Sequence, residues 1–366
     1  MAPMRGSSRG MSFGMRHLPD RSGGWGQLLG VGRDEGSAEP ASLNAIQSIN
    51  DSFMTFSPAV EASGRGFTFI LGLVIGCAGV SMVLSRVVIG GILSRADFWP
   101  YLVGVYGVIL LFAGVFFAWS ISSAARLSAP PVVLSRRLRK FFCWIDRKNG
   151  WVSIDYDAAQ PISMVSRSYS LAGAATGYVL AVVDIEASDR RIRSYVPLAQ
   201  PYRDDRAPGM IWEFIRHYMD GDPETLPPAD PLPPADDARA DYVLLDRQLF
   251  GGLVDAHHRV KPGAFPMTYV CVVGALMYWF ERAGLWIWRI APRPEWPPEI
   301  RAEMSMPAPA SSFRTRPLTE AERLAYAGKL GYLNRRWFVL GTICTVIVFM
   351  MFAVPGIPPW FSELNR

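Results

Sequence analysis

Residues 67–85 read FTFILGLVIGCAGVSMVLS, a run without a single charge. About 20 apolar residues in a helix cover a hydrocarbon core of about 30 Å, so this run is expected to span a membrane. Residues 101–121 repeat the pattern, entered through Trp99 and Pro100 and left through Trp119, aromatics suited to the water boundary. A short turn around 94–98 joins the two, and residues 67–124 read as a transmembrane hairpin. Arg86 closes the first run, and the apolar piece 87–93 after it would let that helix slide and carry the guanidinium toward the headgroups.

The composition agrees. Of 366 residues half are hydrophobic and only 19% are charged, against about 25% in soluble domains. Lys and Arg number 37 and Asp and Glu 32, a net charge of +5, too small an excess to imply a nucleic-acid partner. Cys77, Cys143, Cys271 and Cys344 lie far apart with no CxxC spacing. That excludes a disulfide framework and a structural zinc site.

Upstream of the hairpin, residues 1–66 are expected to be a disordered tail. The first forty are rich in Gly, Ser, Arg and Met and cannot offset the chain entropy of folding. No apolar core near the start marks a cleavable signal peptide. Ile46, Ile49, Phe53 and Phe56 recur every three or four positions and predict a short amphipathic helix on the membrane surface.

Downstream comes a basic run: Arg126, Arg136, Arg137, Arg139, Lys140, Arg147 and Lys148, opposed only by Asp146. Positive charge beside a span marks the cytoplasmic side, so both ends of the hairpin are expected inside. Residues 125–220 then read as a small α+β cytoplasmic module. Its β-prone runs are 132–134, 140–145, 151–155, 178–185 and 192–196, with Asn149-Gly150 as a hairpin signal. Residues 210–219 place Ile211, Phe214, Ile215 and Tyr218 on one helical stripe.

Residues 221–263 read as a Pro-rich acidic linker. Residues 264–291 form a third membrane segment, interrupted by Glu281-Arg282, which either crosses or dips in and returns. Residues 292–336 are a Pro-rich segment whose short helix opens on a capping box, Thr319-Glu320-Ala321-Glu322. Residues 337–366 complete the reading as a fourth span and tail. The expected fold is a membrane α-helical protein of about four transmembrane helices with a small α+β cytoplasmic module. If all four cross, the arginine-rich segment 292–336 lies outside; a re-entrant third segment keeps it inside.

For chemistry the sequence offers little. No GxxxxGK[ST] or GxGxxG is present, and no cofactor or metal is expected. Asp255, His257 and His258 are weighed as metal ligands against a surface loop, and the loop is favoured. Arg86, Glu281 and Arg282 read as interface anchors ahead of an ion pathway. Gly72, Gly76 and Gly79, with Gly104, Gly107 and Gly114, are either a close-packing stripe or ordinary membrane-helix glycines. Arg136, Arg137, Arg139 and Lys140 have two equal readings, contacts to anionic lipid headgroups or a topology signal alone. Asp184, Glu186 and Asp189 read as solvated turn charges rather than acid–base groups.

The order of two spans, KFFCWIDRKNGWVSIDYD, a sheet pair and IWEFIRHYMDGDPETLP resembles a family of uncharacterised proteobacterial polytopic inner-membrane proteins. The resemblance is carried by the basic strand-turn-strand and by Trp212, Glu213, Ile215, Arg216, Tyr218, Met219 and Pro223, with RPLTEAERLAY as a further element. It covers residues 67–360 and implies no reaction. It does imply a genomic setting near type VI secretion and polymorphic-toxin loci. The expected function is therefore a non-enzymatic inner-membrane protein acting through protein or lipid contacts, as an immunity or accessory protein for a contact-delivered toxin. The alternatives are a transporter or channel component and a lipid-binding membrane scaffold.

Overall fold

The structure is a computed structural model, and it describes residues 18, 25–30, 38–56, 59–89, 102–128, 130–170, 173–186, 191–199, 201–230, 241–250, 252–305 and 313–353. Strands β1 (Gly26–Leu28), β2 (Ile46–Ile49) and β3 (Phe53–Phe56) precede helix α1 (Ala59–Ile89). A π-helical turn at Leu102–Tyr106 leads into α2 (Gly107–Ala125). Six strands follow: β4 (Val132–Ser135), β5 (Lys140–Asp146), β6 (Gly150–Asp155), β7 (Gln160–Ser170), β8 (Gly173–Ile185) and β9 (Ile192–Pro197). Then come helices α3 (Ala207–Asp220), α4 (Asp241–Phe250), α5 (Ala264–Ile290), α6 (Pro298–Ser305), α7 (Glu320–Tyr326) and α8 (Gly331–Ala353).

The chain divides into two compact units, each assembled from three separated segments. The first, from 1–59, 127–232 and 293–317, is built on two antiparallel sheets, ordered β1-β7-β8-β9 and β2-β3-β4-β5-β6. Side chains alternate across a strand, and here both faces are apolar because both are covered. Leu134, Phe141 and Cys143 turn to a core shared with Leu180, Val182 and Val196 of the other sheet and with Ile211, Phe214, Ile215 and Tyr218 of α3. Val133 and Phe142 turn the opposite way onto Ile300 of α6, with Trp151 and Trp296 at the margin.

Several expectations are corrected here. About four transmembrane helices beside a small module is not what folds: among the described residues nine strands form two antiparallel sheets, and three helices are long and apolar enough to cross a membrane. These lie at Arg65–Leu84, Gly104–Ala125 and Ala264–Ile290. Helix α8 begins with Gly331, Tyr332 and Leu333 and carries Arg335 and Arg336 in its second turn; residues 354–366 lie outside the described set. Ile46, Ile49, Phe53 and Phe56, read as a surface helix, sit in a β2–β3 hairpin. The spacing that mimics a helical stripe arises from two short strands around a turn, where the Asn50 side chain accepts from the amides of Ser52 and Phe53, both at 2.8 Å. Part of the presumed disordered tail is ordered too, since β1 pairs with Ile162–Met164 of β7. The presumed linker contains α4, and Leu226 and Ala229 are buried in the sheet core.

Other readings stand. Strands β5 and β6 form the expected hairpin, closed at Gly150 with φ +68°, a backbone setting that favours glycine. Helix α3 buries the expected stripe. Helix α7 starts with a complete capping box, Glu322 N–H to Thr319 Oγ1 at 3.2 Å and Thr319 N–H to Glu322 Oε2 at 2.8 Å.

The second unit, from 60–126, 233–292 and 318–366, is helical. Gly72, Gly76 and Gly79 do line the α1–α2 contact. A Cβ on Gly72 would lie 2.9 Å from the Phe116 carbonyl oxygen, and Ser120 Oγ–H donates to the Phe69 carbonyl at 2.7 Å across the same contact. Gly104, Gly107 and Gly114 face open space. The Arg86 side chain and the turn at 94–98 lie outside the described residues.

Candidate functional site

In the sheet unit, the basic cluster and the motif residues meet. Arg139 leaves the turn before β5 and donates through Nε to Asp157 at 2.8 Å and through Nη2 to Asp157 at 2.6 Å and Asp220 at 2.8 Å. Tyr156 O–H donates to the same Asp220 at 2.9 Å, while its ring lies under the Arg139 guanidinium and against Trp212. The hydrogen bonds from Arg139 hold the Asp157 carboxyl below the ordinary value of 3.8 and raise the guanidinium further. Burial, with the bond to Asp220, pushes the Tyr156 phenol up.

The remaining basic residues are engaged within the same unit. The Arg136 guanidinium sits over the rings of Tyr218 and Phe313 and donates to the Gly221 carbonyl at 3.3 Å. Arg137 pairs with Glu303 of α6. Lys140 pairs across the ladder with Asp155 by strand register. Glu213 and Arg216 form a largely buried i, i+3 ion pair at 2.9 Å, and Tyr218 O–H donates to the Asn50 carbonyl at 2.9 Å. Trp212, Ile215 and Met219 are buried in the core. These residues fasten α3 to both sheets.

The helical unit holds a second constellation that the sequence reading missed. Asp246 of α4 is fully buried and accepts from Arg336 of α8, from Trp337 Nε1–H at 2.8 Å, and faces His258 Nδ1 at 3.1 Å. Arg336 also donates to the His258 carbonyl at 3.0 Å. Trp337 is completely enclosed, stacked between Tyr242 at 6.0 Å and Phe250 at 5.5 Å. One turn and a half earlier on α4, the buried Asp241 receives both Arg282 and Arg289 of α5. Glu281, read as an interface anchor, is buried at 4% exposure. Of the weighed metal ligands, Asp255 is exposed and accepts from the amides of His257 and Arg259, both at 2.8 Å, whereas His258 is buried on Asp246. Among the described residues no group of His, Cys, Asp or Glu is arranged to hold a metal. The acidic turn likewise pairs locally, Arg193 with Asp184 at 3.6 Å; Asp189 lies outside the described residues.

Chemically, the Asp246 cluster does one thing well: it holds a carboxylate away from water by surrounding it with a guanidinium, an indole N–H and an imidazole. Burying an ion is costly unless its partners are all present, and removing one of them leaves an uncompensated charge. The signal for it in the sequence was weak, an Asp-rich ten-residue helix behind a proline-rich stretch, with its partners 12 and about 90 positions away. No family model, curated protein or solved structure matches this chain.

Two outcomes are expected. Asp246→Ala strands Arg336 and should destabilise the chain by about 3–5 kcal/mol, whereas Asp157→Ala, at an exposed pair, should cost about 1 kcal/mol or less. Thermal unfolding in detergent compares them. Because the folded carboxyl of Asp157 titrates below its unfolded value, its contribution is complete above that value and is lost as pH falls through the lowered one. Wild-type and Asp157→Asn melting temperatures should therefore converge below about pH 4 and separate above it.

Proposed function

We propose that this chain is a multi-pass protein of the bacterial inner membrane whose sheet unit works from one side of the bilayer, through protein or lipid contacts rather than catalysis. The observation that carries this reading is the outward apolar surface of α1 and α2. Leu111, Phe112 and Ile121 are 66, 61 and 64% exposed, with Val108, Val115 and Met82 beside them. Contiguous apolar surface on that scale is rare on proteins in water and ordinary in lipid.

The strand pairing supports a hairpin topology. Strand β3 enters α1 and β4 leaves α2, and Phe56 and Val132 are direct ladder partners. The chain therefore returns to the side it left, as a two-span hairpin does. Helix α5 is bracketed in the same way. Residues 127–232 before it and 293–317 after it belong to one unit, joined at Ala229 and Thr315 and by Arg137 with Glu303. For α5 to cross, the chain before it would also have to cross, yet α4 has ten residues, about 15 Å of helix against a core of about 30 Å. The reading favoured here keeps both ends of α5 on the side of the sheet unit. Its apolar window is 44% buried, against 17 and 11% for the other two, as suits a helix packed among protein.

In its specific form the proposal is an immunity or accessory protein for a toxin delivered by type VI secretion or a related contact-dependent route. The resemblance of the Trp212 to Met219 segment and the basic strand-turn-strand supports it.

Cysteines introduced at Ser153 and Ser305, both exposed, should react with an impermeant maleimide only after the inner membrane is opened, above the background of native thiols. Reaction of one but not the other in intact spheroplasts contradicts the topology. Co-expression of the full chain with the toxin encoded beside it should restore growth, and unchanged killing contradicts the immunity role.

A further inference from the structure

We infer that the tip of the β5–β6 hairpin docks on an anionic lipid surface. The inference rests on the membrane reading above and adds the site of contact. Trp144 and Trp151 face each other across the ladder with their rings edge to face at 5.8 Å, and Trp296 lies against Trp151 at 5.1 Å. Trp151 Nε1–H is held by the Glu295 carbonyl at 2.8 Å. Three half-buried indoles thus lie in contact at one end of the sheet. Between Trp144 and Asp146 the register slips, leaving Ile145 as the bulged residue, 39% exposed. Bulges re-aim side chains at sheet rims, and this one leaves an aliphatic group uncovered next to the indoles.

The turn beyond it is preformed. Asp146 Oδ1 accepts from the amides of Lys148 at 2.8 Å and Asn149 at 2.7 Å, and Oδ2 from Asn149 Nδ2 at 2.6 Å. This carboxylate is spent on the turn, while Arg147 and Lys148 project from it, exposed. The other nearby acid, Glu295, is paired with Arg301 at 3.1 Å. Indoles favour the water boundary of a bilayer, an aliphatic side chain favours its edge, and each cation near an anionic leaflet adds attraction. That combination is gathered here rather than at Arg136, Arg137 and Arg139, whose guanidiniums are engaged by rings and carboxylates of the same unit.

The test uses the full chain in nanodiscs, of phosphatidylcholine alone or with added phosphatidylglycerol, followed by hydrogen exchange and mass spectrometry. Amides of the 144–151 peptide should exchange roughly tenfold more slowly in the anionic discs, with no change in peptides from β7 and β8. Combined Arg147→Glu and Lys148→Glu, or Ile145→Asp alone, should return exchange to the phosphatidylcholine level; all three positions are exposed and outside the core. Equal exchange in both discs, protection that survives the charge reversal, or protection that follows protein concentration and so reports a second copy, overturns the inference alone. Failure of the chain to enter discs overturns the membrane reading with it.

Discussion

The antiparallel pairing of Phe53–Phe56 with Val132–Ser135 is the constraint on which the rest of the structure depends. Neighbouring strands in a sheet lie about 4.8 Å apart, so everything between Phe56 and Val132 must begin and end at nearly one point. An apolar excursion of that kind is what two antiparallel helices supply and one cannot. The second bracket, where the Ala229 amide donates to the Arg314 carbonyl at 3.0 Å and the Arg316 amide to the Ala229 carbonyl at 2.9 Å, closes a further excursion. The sheets thereby dictate what the helices can do.

Charge serves this architecture as internal fastening. The two carboxylates of α4 face two different helices, Asp241 toward Arg282 and Arg289 of α5, Asp246 toward Arg336 of α8. A ten-residue helix is marginal by itself, and these pairs, with Trp337 inserted between Tyr242 and Phe250, fix its place. In the sheet unit the corresponding fastener is Arg139, which ties the start of β5 to the end of α3 at the molecular surface. Exposed pairs of that kind set geometry more than stability; the buried ones do both.

What could be read from the sequence followed from local signals. The charge-free runs, the Asn149-Gly150 turn, the stripe of α3 and the Thr319 capping box each express their structure within a few residues. The rest depended on distant partners. Ile46, Ile49, Phe53 and Phe56 fit a helical period as well as two strands, and β4 decided between them. Strand β7 was missed because Pro161 and a scatter of serines hide its alternation, although it is the longest neighbour of β8. The Asp246 cluster was illegible for the same reason: its residues acquire meaning only once α8 has packed beside α4.

The sheet unit is interrupted twice along the chain, and this sets an order of events on the ribosome. β1 to β3 emerge first and find no complete sheet, because β4 appears only after both apolar helices have been made, and α6 only after α5. Until about residue 317 is translated, unpaired strand edges and the bare outer face of Val133 and Phe142 remain uncovered, the condition in which nascent chains are most prone to associate wrongly. A ribosome that stalls inside α5 would therefore leave an apolar helical hairpin carrying an unfinished sheet, a species suited to quality-control proteolysis.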